Sequence, residues 1–186
     1  KSYIGLENIK VYEFSSNSGN ACRGRNKGIE LADGNYIVFL DSDDIAKPDR
    51  LKKTYNLICK TDAGLIGGAI EFLCDGSRDI IGIKNGGVAY SSVLPLKEAI
   101  IRNPLYTCSV AVRRKDLIKF GVFKERMRYR EDHELWVRLL YNGVSLAVTR
   151  DILSVYRVHF KNAELKYLND DKHWHNKLKE EYTLNA

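Results

Sequence analysis

Three carboxylates stand within four positions at Asp41-Ser42-Asp43-Asp44, directly after the apolar run Tyr36-Ile37-Val38-Phe39-Leu40. Like charges this crowded repel one another and resist desolvation. A divalent cation relieves that repulsion, and hard oxygen donors suit Mg²⁺ or Mn²⁺. The apolar run reads as a strand buried on both faces, as in the middle of a mostly parallel sheet. In open α/β sheets ligands gather outside the carboxyl ends of strands, which is where these acids fall. The same residues also fit a plain polar turn, with Asp43 or Asp44 capping a helix that opens near Pro48. Both readings stand on these residues alone. A second acid pair, Glu131-Asp132, opens the best helical pattern in the chain, and simple capping is the ordinary role for acids in a first turn.

The elements that must position these groups come from a chain of 186 residues, one domain's worth, with 44% hydrophobic and 29% charged residues. That balance is ordinary for a soluble globular protein. No apolar run approaches the length of a membrane span, and Lys1-Ser2-Tyr3-Ile4-Gly5 has no signal-peptide pattern, so a cytoplasmic location is expected. Cys22, Cys59, Cys74 and Cys108 are widely spaced and read as small core residues in a reducing compartment. The formal charge of +6 favours anionic partners. Nucleic acid is not among those expected, because no aromatic-basic interleaving accompanies the charge.

Alternation predicts a short strand over Ile9 to Phe14, followed by a polar turn at Ser15 to Gly19. A helix follows with Cys22, Ile29 and Ala32 inward and Gly34 as its stop. Pro48 opens a second helix with Leu51, Tyr55 and Ile58 at helical spacing. Gly64 to Leu73 reads as a strand interrupted by Gly67-Gly68. Cys74 to Tyr90 reads as a long loop or loose hairpin, Thr107 to Val112 as a strand, and Lys115 to Phe120 as a short helix ending at Gly121. Leu135, Trp136, Leu139 and Leu140 give Glu131 to Tyr141 an apolar stripe, and Gly143 closes it. Trp136 is expected as a core anchor of that helix. Val144 to Thr149 and Ile152 to Val158 are two further strands, and Leu165, Leu168, Trp174 and Leu178 suggest a tail helix. Strands alternating with helices through the first sixty residues argue an α/β fold.

The stretch Asn17-Ser18-Gly19 … Arg25-Asn26-Lys27-Gly28-Ile29-Glu30-Leu31-Ala32-Asp33-Gly34-Asn35 through Asp44 resembles the signature of family 2 glycosyltransferases, which have the GT-A fold. Glu131-Asp132-His133-Glu134-Leu135-Trp136-Val137-Arg138-Leu139 is similar to the acid pair and helix that supply the family's catalytic base. Tyr156-Arg157-Val158-His159 is similar to the segment that follows the last strands. The Asn17-to-Asn26 stretch is one residue longer than the usual pattern, and Gly24 stands where Ala is common. The family's opening strand and the acid-rich turn that holds the nucleotide base have no counterpart in these residues.

The resemblance implies a GT-A domain over residues 1–160, with its first strands missing, and a helical tail over 161–186. It implies transfer of a sugar from a nucleoside-diphosphate sugar, a UDP-sugar first among candidates, to a glycan or lipid-linked hydroxyl with inversion. Asp132 is then the general base, with Glu131 orienting it or the acceptor. Asp43 meets an Mn²⁺ or Mg²⁺ ion, Asp44 supports it, and His159 is a further candidate ligand, although a His near a strand end is more often structural. Asp41 serves the ribose or a metal-bound water, and Arg25, Asn26 and Gly19 serve the donor. Lys27, Arg128 and Arg130 are further candidates for the diphosphate. Most of the basic run from Arg113 to Arg130 is a solvated face, a subset of which could touch an anionic membrane. Two rival readings are a silent domain that binds nucleotide-sugar or glycan, and a haloacid-dehalogenase-like phosphatase with Asp41 as nucleophile and Asp43 as acid. The second leaves Glu131-Asp132 unexplained.

Overall fold

The computed structural model describes residues 8–17, 19–74, 80–84, 96–101, 103, 105–158 and 171–183. In order, the elements are α1 (Cys22–Leu31), β1 (Tyr36–Val38), β2 (Ile45–Ala46), α2 (Arg50–Thr61), β3 (Leu65–Cys74), β4 (Ile80–Lys84) and α3 (Leu96–Ile101). A 3₁₀ turn at Thr107–Ser109 leads to β5 (Ala111–Arg113), α4 (Arg114–Phe120), α5 (Glu131–Tyr141), β6 (Leu146–Val158) and α6 (Asp171–Thr183).

The strands form one sheet in the order β1-β5-β3-β6-β2, with β4 also paired to β3. One edge of β3 meets β5 through Leu65 and Ile66 and then β4 through Ile70 to Leu73. The other edge follows β6 along its whole length. The α/β class is as expected, but only the β3–β6 pairing is parallel among the described strands, and the other four are antiparallel. The connections explain this. Parallel neighbours need a long crossover, which the chain supplies between β3 and β6 through α3, α4 and α5. Residues 75–79 alone separate β3 from β4, a hairpin-length return.

Among the described strands β1 pairs with β5 alone. Its run is covered on one face and half-covered on the other. Ile37 and Phe39 are buried, Tyr36 and Val38 are half-buried, and Leu40 is 48% exposed. Ile9 to Phe14 is no strand; no described strand lies beside it, and Ile9, Val11 and Tyr12 face solvent.

Helix α1 buries Cys22 and Ile29 as expected but stops at Leu31, where Ala32 turns extended ahead of Gly34. Helix α2 faces the other way from its apolar spacing: Arg50 and Thr54 are buried, while Leu51 and Tyr55 are each 66% exposed. A buried hydrogen bond from Arg50 Nη2 to the Phe39 carbonyl, 2.6 Å, sets that rotation. Cys22 and Cys108 are buried, but Cys59 lies on the surface of α2, against the expectation of a core residue.

The Gly67-Gly68 pair that weakened the strand pattern is a packing requirement. A Cβ on Gly67 would strike the Leu105 side chain, and one on Gly68 that of Leu153. The two strands expected after Gly143 are one continuous β6, in which Arg150 and Asp151 bulge out between Thr149 and Ile152. Gly121 and Gly143 close α4 and α5 at φ of 93° and 80°, conformations that cost other residues strain.

The main core lies between the sheet and α1, α3, α4, α5 and α6. Phe39, Phe123 and Trp136 meet edge-on or tilted there, with ring centroids 5.4–6.3 Å apart, and Trp136 is fully buried as expected. These contacts pin the end of the β1 run against α5. Leu178 and Tyr182 of α6 enter the same core.

Candidate active site

Two acid groups far apart in sequence meet over α1. Arg25 projects from α1 and donates from Nη2 to both oxygens of Asp41, at 2.8 and 2.9 Å, while its Nη1 donates to Glu131 Oε1 at 3.0 Å. All three side chains are largely covered, at 13%, 31% and 17% exposure for Arg25, Asp41 and Glu131. Burial by itself lowers the Arg25 pKa, but Asp41 with Glu131 and Asp132 more than reverses this, and the guanidinium stays charged. Burial pushes the Glu131 carboxyl up, and the neighbouring Asp132 pushes it further, with Arg25 opposing both.

Asp132 sits one residue into α5, held from both sides. Its Oδ2 accepts from Asn103 Nδ2 at 3.0 Å and from Thr107 Oγ1 at 3.2 Å, and its Oδ1 accepts the His133 N–H at 2.7 Å. Arg130, immediately before the helix, stands at φ 59°, a left-handed conformation that costs a non-glycine residue on the order of 1 kcal/mol. Of the three acids in the first turn, Glu131 and Asp132 take part in the site, while Glu134 turns to Arg138 and Tyr182. No motif pointed to Asn103 or Thr107. The alternation around Thr107 suggested a strand, and the 3₁₀ turn that replaces it presents the hydroxyl.

The acid turn is built by Asp41 and Asp44, whose N–H donates to the Asp41 carbonyl at 3.2 Å. Asp44 Oδ1 accepts the Arg157 N–H from β6 at 2.9 Å, and Arg157 Nε donates to the Asp43 carbonyl at 3.0 Å. Asp44 Oδ2 is buried, and the Cys108 thiol beside it is a weak donor at most. Burial, with help from Asp43 and Asp41, lifts the Asp44 carboxyl to about 6. Beneath the turn, Arg50 is 2% exposed, a buried cation facing this negative charge.

Among the described residues no three His, Cys, Asp or Glu side chains converge as a ready-made metal cage. The donor set nevertheless fits a hard cation that keeps waters and substrate phosphates as its remaining ligands. Asp44, whose buried Oδ2 meets at most the weakly donating Cys108 thiol, and the exposed Asp43 beside it offer oxygens of the right type. His159 lies outside the described residues. Asn26, assigned to the donor from the sequence, spends its side chain on the loop before α5: its Nδ2 donates to the Phe123 carbonyl at 2.9 Å, and its Oδ1 accepts the Phe123 N–H at 3.0 Å. Gly19 is exposed at φ 76°, with its N–H donated to Asn17 Oδ1. Lys27 is paired with Glu30.

The family model for glycosyl transferase family 2 matches residues 1–132, well over half of the chain. The chain belongs to glycosyltransferase family 2. An uncharacterized glycosyltransferase of Methanocaldococcus jannaschii is 27% identical over 92% of this chain and 64% of its own length. The poly(ribitol-phosphate) β-N-acetylglucosaminyltransferase TarP of Staphylococcus aureus is 28% identical over 81% of this chain and 45% of its own. The structure of S. aureus TarS residues 1–349 in complex with UDP superposes with a TM-score of 0.67 at 20% identity, covering 96% of this chain and 49% of that one. The GT-A fold is therefore common to both, and this family 2 chain spans between about half and two thirds of the length of these relatives. Membership removes the haloacid-dehalogenase alternative. In this glycosyltransferase domain the acid turn and the head of α5 are the two motif groups that the fold brings together. No helix of the described residues is long and apolar enough to cross a membrane.

Proposed function

We propose that this protein transfers a sugar from a nucleoside-diphosphate sugar to a hydroxyl of a glycan or lipid-linked acceptor, with inversion at the anomeric carbon. The observation that carries the reading is the Arg25 bridge, which joins the acid turn through Asp41 to the Glu131-Asp132 head of α5. A carboxylate that accepts a proton and a turn suited to a diphosphate are thereby held side by side. The UDP named in the TarS complex makes a UDP-sugar the first donor to try.

In this reading Asp132 takes the proton from the acceptor hydroxyl. The acceptor oxygen bonds to the anomeric carbon from one face as the bond to the diphosphate oxygen breaks on the other, and the leaving diphosphate keeps the electron pair. Asn103 and Thr107 orient the Asp132 carboxylate, and Glu131, tied to Arg25, holds the helix head in register. Arg25 and Asn26 act by positioning, since their side chains are already engaged. An Mn²⁺ or Mg²⁺ ion held by Asp43 and Asp44 would neutralise the charge that grows on the leaving group. The exposed face of α4, with Lys115, Ile118 and Lys119, supports a peripheral contact with an anionic membrane.

Incubation with UDP-, GDP- and dTDP-sugars plus Mn²⁺ or Mg²⁺, following nucleoside diphosphate release and metal-dependent binding, tests the reading. Release should require the metal, and Asp43→Ala should abolish metal-dependent donor binding. Absence of binding to every nucleotide-sugar would falsify the proposal.

A further inference from the structure

Phe72, Tyr106 and Tyr156 form a closed set of edge-to-face contacts near the C-terminal ends of β3 and β6. Their ring centroids lie 5.9 Å apart for Phe72–Tyr106 and Phe72–Tyr156 and 5.3 Å apart for Tyr106–Tyr156. Phe72 and Tyr156 are direct partners in the one parallel pairing of the described sheet. These rings differ from the Phe39, Phe123 and Trp136 set, which is sealed in the core. All three keep part of their surface open to solvent.

Their chain neighbours tie the cluster to both halves of the site. Tyr106 precedes Thr107, whose hydroxyl donates to Asp132 Oδ2 at 3.2 Å. Tyr156 precedes Arg157, whose N–H donates to Asp44 Oδ1 at 2.9 Å. Open aromatic surface is therefore one residue from the group that orients the base and one residue from the group that holds the acid turn. Aromatic rings present a negative π face, and the C–H face of a pyranose is a weakly positive, apolar surface of matching size. Binding clefts commonly combine such apolar surface with a few placed polar groups. The hydroxyl that meets Asp132 is the acceptor's, so the ring that carries it belongs on the Tyr106 side.

We propose that Phe72, Tyr106 and Tyr156 are a stacking platform for a pyranose ring of the acceptor, setting its hydroxyl against Asp132. The inference rests on the glycosyltransferase reading and goes further by requiring a cyclic sugar at that subsite. An acyclic polyol has no ring face to offer the platform.

The test is saturation-transfer NMR on the protein with UDP and diamagnetic Mg²⁺ present, irradiating aromatic protons. The probes are methyl β-D-glucopyranoside, methyl β-D-galactopyranoside and methyl N-acetyl-β-D-glucosaminide, with ribitol as the acyclic control. At least one pyranoside should receive saturation and ribitol should not. Phe72→Ala and Tyr106→Leu should each reduce the signal about fivefold or more, while Tyr106→Phe and Tyr156→Phe retain it. UDP binding by calorimetry should stay within twofold throughout. Undiminished saturation in Ala and Leu variants that fold normally by circular dichroism overturns the platform, as does equal saturation of ribitol. Absence of any pyranoside signal while UDP binds also overturns it and leaves the transferase reading intact. Failure of the unaltered protein to bind any of the UDP-, GDP- or dTDP-sugars, with the ring-dependent pyranoside signal still present, sinks the transferase reading and keeps the sugar platform.

Discussion

Arg25 and Glu131 lie 106 residues apart in the chain and 3.0 Å apart in the fold. The same guanidinium grips both oxygens of Asp41, so one cation ties the acid turn to the head of α5. Removing one member of a covered charge set leaves the others desolvated without compensation. Arg25→Leu should cost about 3 kcal/mol of folding stability, read as a lower midpoint in urea unfolding. Arg25→Lys should recover part of the loss, because an ammonium cannot bridge two carboxylates in a fixed fork. A change within about 0.5 kcal/mol for Arg25→Leu would make the bridge a loose surface pair.

Asp132→Asn keeps the shape of the side chain and removes the proton acceptor. Nucleoside diphosphate release on sugar transfer should fall by about 10²–10⁴-fold, with UDP binding nearly unchanged. Thr107→Val keeps the volume but loses one hydrogen bond to a charged group, and transfer should drop roughly tenfold. Normal transfer by Asp132→Asn would rule it out as the base.

Gly67 and Gly24 should respond oppositely to the same substitution. A Cβ at Gly67 meets Leu105 in a filled core, so Gly67→Ala should destabilise by about 1–3 kcal/mol. A Cβ at Gly24 meets nothing within 4 Å on the helix, and Gly24→Ala should stabilise by about 0.5–1 kcal/mol. Thermal unfolding of the two variants reads both signs, and a stabilised Gly67→Ala would contradict the packing.

Glu134 is 1% exposed and accepts from Arg138 Nε at 2.9 Å and Tyr182 Oη at 2.6 Å, with Lys124 at 2.8 Å. Burial raises its pKa, but the hydrogen bonds from Arg138, Lys124 and Tyr182 outweigh burial, and the folded value falls below the ordinary 4.5. The unfolded chain therefore takes up this proton first. The stability Glu134 contributes is complete above pH 4.5 and is lost as the pH falls through the folded value below it. Glu134→Gln should flatten the acid limb of stability against pH below 4.5, measured by urea unfolding from pH 3 to 7. An unchanged acid limb would mean that the network does not hold the proton off.

The sequence by itself carried the α/β class, the acid run at Asp41 to Asp44, the acid-headed helix α5 and the family to which they belong. Those features are local: a run of apolar residues, a helical stripe and motif spacing are all readable along the chain. The tertiary structure decided what each charged group touches. Nothing at Asn26 predicts that its amide clasps Phe123, and nothing at Leu51 or Tyr55 predicts that Arg50 rotates them into solvent. The antiparallel majority among the described strands follows from which strands become neighbours, and periodicity along one strand does not encode that. The site is shared between a turn, two helices and a 3₁₀ segment. Its chemistry became legible only when Arg25 joined Asp41 to Glu131 across a sequence gap that no short motif spans.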